Sequence, residues 1–315
     1  MVKMNSCKAW LLATRPKTLT GAAAPVLVAL SAAWADTGRL LWMPATLCML
    51  FALLMQIDAN FVNDYLDFQG GIDREDRLGP ERACAQGWIT PRAMRRGIAL
   101  VTLLSCLTGL PLVLWGGWWM VAIGVACVLA CFLYTTTLSR IALGDLLVVL
   151  FFGIVPVLAT YYLQLSIFNF PLGSAAWPVQ ELSTFRSASP LGSSKNFQLS
   201  TFNSSLALGL VTDCLLLVNN YRDRDTDRRV GKRTLVVLIG PRATEWLYLA
   251  LGLVAVALVL PQTLLPLLFL PLHLLNWIKI KRIHEGRALN KVLGKTAAAI
   301  LLFALLYSAG RILGI

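Results

Sequence analysis

Asn63, Asp64, Asp67 and Asp73 fall within one short run, NDYLDFQGGID, and a second run from Asn219 to Asp227, NNYRDRDTD, holds Asp223, Asp225 and Asp227. Each acidic run follows apolar sequence, Leu40 to Val62 before the first and Leu215 to Val218 before the second. In a helix with about 3.6 residues per turn, residues three or four apart share a face. Gln56, Asn60, Asn63 and Asp67 are spaced in that way, and so are Asn219, Asp223 and Asp227. Gly70 and Gly71 permit a turn that brings Asp73 back toward Asp67. The pattern N-[ND]-Y-x-D starts at both 63 and 219, which suggests two pseudo-equivalent sites.

Carboxylates gathered at a partly desolvated mouth repel one another by several kcal/mol, about 4 at an effective dielectric near 20, unless cations intervene. Asn and Asp supply hard oxygen ligands, and Mg²⁺ takes one or two carboxylates, keeps waters and completes its shell with substrate phosphates. The expected metal ligands are therefore Asn63, Asp67, Asp73, Asn219, Asp223 and Asp227, with Asp67 and Asp223 expected to matter most for catalysis. A phosphorylated substrate follows from the same chemistry. Nearby cations can grip its phosphates: Arg77 and Arg82 after the first run, and Arg222, Arg228, Lys232 and Arg233 around the second. Arg82 and Lys232 are singled out because they follow the acids at short range. A bland alternative makes RDRDTDRR a solvated helix end of mixed charge. Two matched runs that both end apolar spans favour a site, because acids beside a membrane default to function. A divalent-cation transporter also uses acids, but transport sites sit near the bilayer midplane, whereas these acids gather at one mouth.

The elements that must position these residues are membrane spans. The chain of 315 residues is 57% hydrophobic and 14% charged, with a mean hydropathy of +0.68, the composition of an all-α membrane protein. A span needs roughly 20 apolar residues. Nine segments qualify, near 18–35, 41–66, 97–115, 117–134, 141–164, 205–222, 244–260, 263–280 and 296–313. With the N-terminus cytoplasmic, 24 of the 28 Lys and Arg fall on the cytoplasmic side, as the positive-inside rule requires. That topology and attraction to anionic lipid account for the net charge of +12, so no nucleic-acid partner is expected, and no obligate protein partner is inferred. The seven cysteines show no CxxC pair and the two histidines, His273 and His284, no metal spacing. Residues 165–204 carry PLGS and LSTF twice each and are expected to form an irregular outside loop. The Asn203-Ser204-Ser205 sequon within it is short enough to arise by chance.

The pair NDYLDFQGGID and NNYRDRDTDRRVGKRTL resembles the two aspartate-rich motifs of the UbiA superfamily of intramembrane prenyltransferases. The segments RPKTLTGAAAPVLVA, QIDANFVNDY, DRLGPERA, LGDLLVVLFFGIVPVLATYYLQ and RALNKVLGKTA are similar to its menaquinone-pathway branch, which acts on 1,4-dihydroxy-2-naphthoate. The resemblance covers the chain except 165–204; Asp58 and Ala159 depart from it. It implies one domain over 1–315, nine helices in a bundle around a central cavity, and cytoplasmic cap loops. It also implies Mg²⁺, a polyprenyl diphosphate donor, a naphthoate acceptor, surrounding membrane lipid and a place in the bacterial cytoplasmic (inner) membrane. A sister enzyme using 4-hydroxybenzoate is the alternative. Asn60 would join the substrate site. Tyr134 and Tyr161, with Phe151, Phe152 and Tyr162, are candidates to line it and face an allylic cation, against the plainer reading of span-end aromatics as interfacial anchors. Asp145 at the start of the fifth span is expected on the acceptor side, with a salt bridge to Arg140 as the alternative.

Overall fold

The computed structural model describes residues 3–71, 78–166 and 195–315. Asp73, Arg77 and most of the 165–204 segment therefore lie outside the described residues.

Apolar length makes the architecture, because in lipid a helix satisfies its own backbone hydrogen bonds. Twelve helices are described: α1 (Cys7–Ala13), α2 (Leu19–Thr37), α3 (Trp42–Gln69), α4 (Pro91–Gly109), α5 (Val113–Gly116), α6 (Trp119–Thr136), α7 (Gly144–Val149), α8 (Val155–Leu165), α9 (Lys195–Arg229), α10 (Leu235–Val259), α11 (Leu270–Ile283) and α12 (Leu289–Leu313). Eight helical stretches among the described residues are long and apolar enough to cross a membrane. The remaining expected span, 263–280, is a 3₁₀ stretch, Leu265–Phe269, running into the 14-residue α11. Pro266 and Pro271 favour that tight start, since neither has an N–H to give to a longer ladder.

Two boundaries differ from the sequence reading. The sixth span begins well before 205: α9 already includes residues 195–204. Its hydroxyls explain how so polar a stretch stays helical, for Ser204 Oγ donates to the Thr201 carbonyl at 2.9 Å and Ser205 Oγ to that of Phe202 at 2.7 Å. The sequon is thus on a helix with Ser205 buried. In the fifth span, α7 and α8 are joined by a π-helical turn, Leu150–Ile154, an irregularity that tends to mark functional sites.

The helix α9 packs against α2, α7, α10 and α12. Ala207, Leu208 and Val211 of α9, with Phe269, Phe303 and Tyr307, form the outer core. Leu217, Val218, Tyr221, Tyr248 and Ile280 form the inner one. The α4 and α6 side is thinner and leaves large apolar residues exposed, among them Leu103, Leu107, Val125 and Leu129, as a lipid-facing wall would.

Candidate active site

The inner end of α3 is organised by Asp64, which is 1% exposed. Its carboxylate accepts the backbone N–H groups of Ala83 (2.8 Å) and Cys84 (2.9 Å), fixing the loop that follows. One residue before Ala83, Arg82 is thereby delivered to Asp67, where its Nη2 donates to Oδ2 at 2.9 Å. Asn60, deeper on α3, donates to the Thr14 carbonyl (2.9 Å) and to Thr18 Oγ1 (3.0 Å), tying the N-terminal segment to the same mouth. Asn63 Nδ2 reaches Thr135 Oγ1 of α6 at 3.4 Å.

The inner end of α9 is built around Arg222. Its guanidinium donates to both carboxylate oxygens of Asp223 (2.8 and 2.6 Å), to Asn219 Oδ1 (2.8 Å) and to Asn290 Oδ1 of α12 (2.8 Å). Asn290 Nδ2 donates in turn to the Leu78 carbonyl (2.9 Å), so one residue links both acidic ends. Past α9, Gly231 at φ +72° lets the chain fold back. Lys232 Nζ then lies 3.5 Å from Asp227 Oδ1, and the Arg233 N–H bonds the Arg140 carbonyl at 3.0 Å.

Both acidic ends open on one cavity of about 580 Å³. Asn60, Asn63, Asp67, Arg82, Tyr134, Asn219, Asp223, Asp227 and Lys232 all line it. The π-helical turn adds Phe151 and Phe152 to the wall. Below the mouth the lining is apolar, down to Cys48, Leu112, Met120 and Leu163, which also form a buried cluster with Val26 that closes the outer end.

Several expected site residues stand elsewhere. Arg222 is 2% exposed and off the cavity wall, where its guanidinium buttresses Asn219 and Asp223. Arg228 is exposed, because one helix position past Asp227 turns it about 100° away from the acidic stripe. Tyr161 lies at the outer end, where its hydroxyl donates to Asp36 (3.0 Å), itself bound by Arg311 (2.7 Å). Tyr162 is 44% exposed, away from the cavity.

Asp145 neither pairs with Arg140 nor lines the cavity. The packing shows where it goes. A Cβ on Gly153 would stand 2.5 Å from Gly209 Cα, one on Gly209 2.8 Å from the Val149 carbonyl oxygen, and one on Gly144 3.6 Å from Leu216 Cδ2. In that antiparallel register the level of Asp145 on α7 is the level of Asp213 on α9. Both are buried, and both oxygens of Asp145 and Oδ1 of Asp213 have no hydrogen-bond partner among the described residues. Sequence reasoning passed over Asp213, Asn290 and the bracing role of Asp64. The signal available for Asp213 was an acid inside an apolar span.

The metal expectation can be tested on the donors present. Among the described residues no group of three or more His, Cys, Asp and Glu side chains is arranged to hold a metal, and Asp67, Asp223 and Asp227 are each paired with a cation. Mg²⁺ needs no such cage when waters and phosphates complete its shell. Asp227 Oδ2 and Asn63 Oδ1 are buried without hydrogen-bond partners at the mouth, hard oxygens that suit that ion. The residues fit.

The UbiA prenyltransferase family matches residues 22–306. The chain belongs to this family. Among its UbiA relatives is the 1,4-dihydroxy-2-naphthoate octaprenyltransferase of Mycobacterium tuberculosis, 32% identical over 96% of both chains. The Escherichia coli protein of that name is 32% identical over 76% of this chain and 70% of its own. The human UbiA prenyltransferase domain-containing protein 1 is 29% identical over 98% of this chain and 85% of its own. In fold, the chain is similar to a UbiA homolog from Archaeoglobus fulgidus bound to DMAPP and Mg²⁺ (TM-score 0.60, 14% identity, 97% of this chain and 99% of that one). It is similar also to the apo UbiA homolog of Aeropyrum pernix K1 (TM-score 0.62, 15% identity, 94% and 97%). The UbiA fold is that of intramembrane prenyltransferases, so the nine spans read from sequence agree with it to within the short α11.

Proposed function

We propose that this UbiA-family chain transfers a polyprenyl group from polyprenyl diphosphate to 1,4-dihydroxy-2-naphthoate, releasing CO₂ and diphosphate and giving the demethylated menaquinone skeleton. The observation that carries the reading is that two acidic helix ends share the mouth of one apolar cavity, each acid beside its own cation. An amphiphile with a diphosphate head and a hydrocarbon tail matches that polarity along its whole length. The naphthoate acceptor is supported by the relatives that carry that name. The N-terminus is cytoplasmic in this account, from the charge asymmetry of the loops, and the membrane is the bacterial cytoplasmic one.

Asn63, Asp67, Asn219, Asp223 and Asp227 would hold Mg²⁺, with Asp73 close in sequence. When bound, the ion neutralises the diphosphate and makes it a better leaving group. Donor binding releases Arg82 from Asp67 and Lys232 from Asp227 toward the phosphates, while Arg222 keeps Asn219 and Asp223 oriented. The C–O bond breaks with its electron pair passing to the diphosphate oxygen. Tyr134, Phe151 and Phe152 offer ring faces to the resulting allylic cation, and the apolar wall below keeps water from it. The carboxyl-bearing ring carbon forms the new C–C bond; the bond to CO₂ then breaks and its electron pair restores the aromatic ring.

Purified protein with Mg²⁺ and a prenyl diphosphate, offered dihydroxynaphthoate and 4-hydroxybenzoate together, tests this by product mass. The prenylated, decarboxylated naphthalenediol is expected. A prenylated hydroxybenzoate as the main product would reassign the acceptor.

A further inference from the structure

The cavity is long as well as apolar. On α3 its lining runs from Asp67 to Cys48, a depth of about 28 Å at 1.5 Å per residue. On α6 the lining includes a stripe of Met120, Gly124, Cys127, Cys131 and Tyr134, spaced by threes and fours and so on one face, with flanking positions such as Val121, Ile123 and Val128 beside it. Gly124 is the member of that stripe without a side chain. A Cβ built there meets nothing within 4 Å, although the residue lines the cavity.

Its depth follows from the register of α3 and α6, which both run toward the mouth. Asn63 and Thr135 touch, and eleven residues further out on each helix stand Ala52 and Gly124. That level lies about 16 Å below the Asn63–Thr135 contact, and Met120 in the closing cluster about 22 Å below it. Ala52 is small as well and lines the same cavity. Two small residues, Ala52 and Gly124, therefore meet the cavity at this level.

We propose that Gly124 is a specificity-determining residue that sets the length of donor the cavity admits, its missing side chain leaving the outer part of the tube open to the prenyl tail. The assignment rests on the prenyl-transfer reading. With carbon–carbon bonds near 1.5 Å, an extended geranyl tail reaches roughly 9 Å and a geranylgeranyl tail roughly 19 Å. The first ends short of Gly124 and the second passes it.

Transfer to dihydroxynaphthoate from geranyl and from geranylgeranyl diphosphate, measured for wild type, Gly124→Ala and Gly124→Phe, decides the matter. Gly124→Phe is expected to keep geranyl transfer within about threefold of wild type and to lose geranylgeranyl transfer by more than tenfold, the scale on which a filled hydrophobic pocket discriminates (about 10–200-fold). Gly124→Ala should keep both. Ala52→Phe, at the same level on α3, should show the same split. An unchanged ratio in both Phe variants, or equal loss with the two donors, would overturn the assignment. No transfer by wild type from either donor would remove the function itself, and the length assignment with it.

Discussion

Asp64 and Asp67 lie three residues apart, and their roles divide sharply. Asp64 spends its charge on two backbone N–H groups and holds a loop; Asp67 faces the cavity beside Arg82. Asp67→Asn should therefore lower turnover by at least about a hundredfold, as loss of a group acting with the metal does, with the thermal midpoint in detergent nearly unchanged. Asp64→Asn should instead cost about 2 kcal/mol of stability, the scale of hydrogen bonds to a charged group, read as a lower midpoint. Equal effects of the two substitutions on both readouts would contradict the division. The motif could be found in sequence because spacing puts Asn60, Asn63 and Asp67 on one stripe. Which acid faces inward depends on the loop near Ala83, nineteen residues away from Asp64, and no local pattern announces that contact. Arg222 shows the same limit. It bonds the neighbouring Asp223, but it also reaches Asn290 on α12, a contact that local sequence does not announce.

At the scale of elements, the pairing of the fifth span with α9 is the feature local sequence conveys least. Apolar length announced both spans, yet the close approach depends on Gly153 and Gly209 meeting across the interface, and a lone glycine in an apolar run has several meanings. The same register sets Asp145 opposite Asp213, two buried carboxylates with oxygens lacking hydrogen-bond partners. Buried acids without partners are destabilising. Asp213→Asn is therefore expected to add on the order of 1 kcal/mol of stability, read as a higher thermal midpoint. A lowered midpoint would mean that the pair is held by a contact the register does not supply. The polar start of α9, residues 199–204, was hidden for a related reason: hydroxyls that bond back to their own helix make a polar stretch helical without any apolar period.

At the scale of the molecule, the fold was legible because a bilayer demands length, apolarity and charge asymmetry, and all three are countable. What counting cannot reach is the shape enclosed. The helices of the α9 side pack into a solid core, while α3 and α6 help to wall a deep apolar cavity whose outer part is lined by a buried cluster. That asymmetry turns two helix ends far apart in sequence into one polar mouth over an apolar shaft. In the proposed function the two acidic ends act as a single metal and diphosphate site. Electron paramagnetic resonance of Mn²⁺ as a substitute for Mg²⁺, titrated into detergent-purified protein with and without geranyl diphosphate, tests it most directly. Tight Mn²⁺ binding is expected that requires the diphosphate and is lost in Asp67→Asn and in Asp227→Asn alike. Retention of that binding in either variant would mean that the two ends do not share the metal.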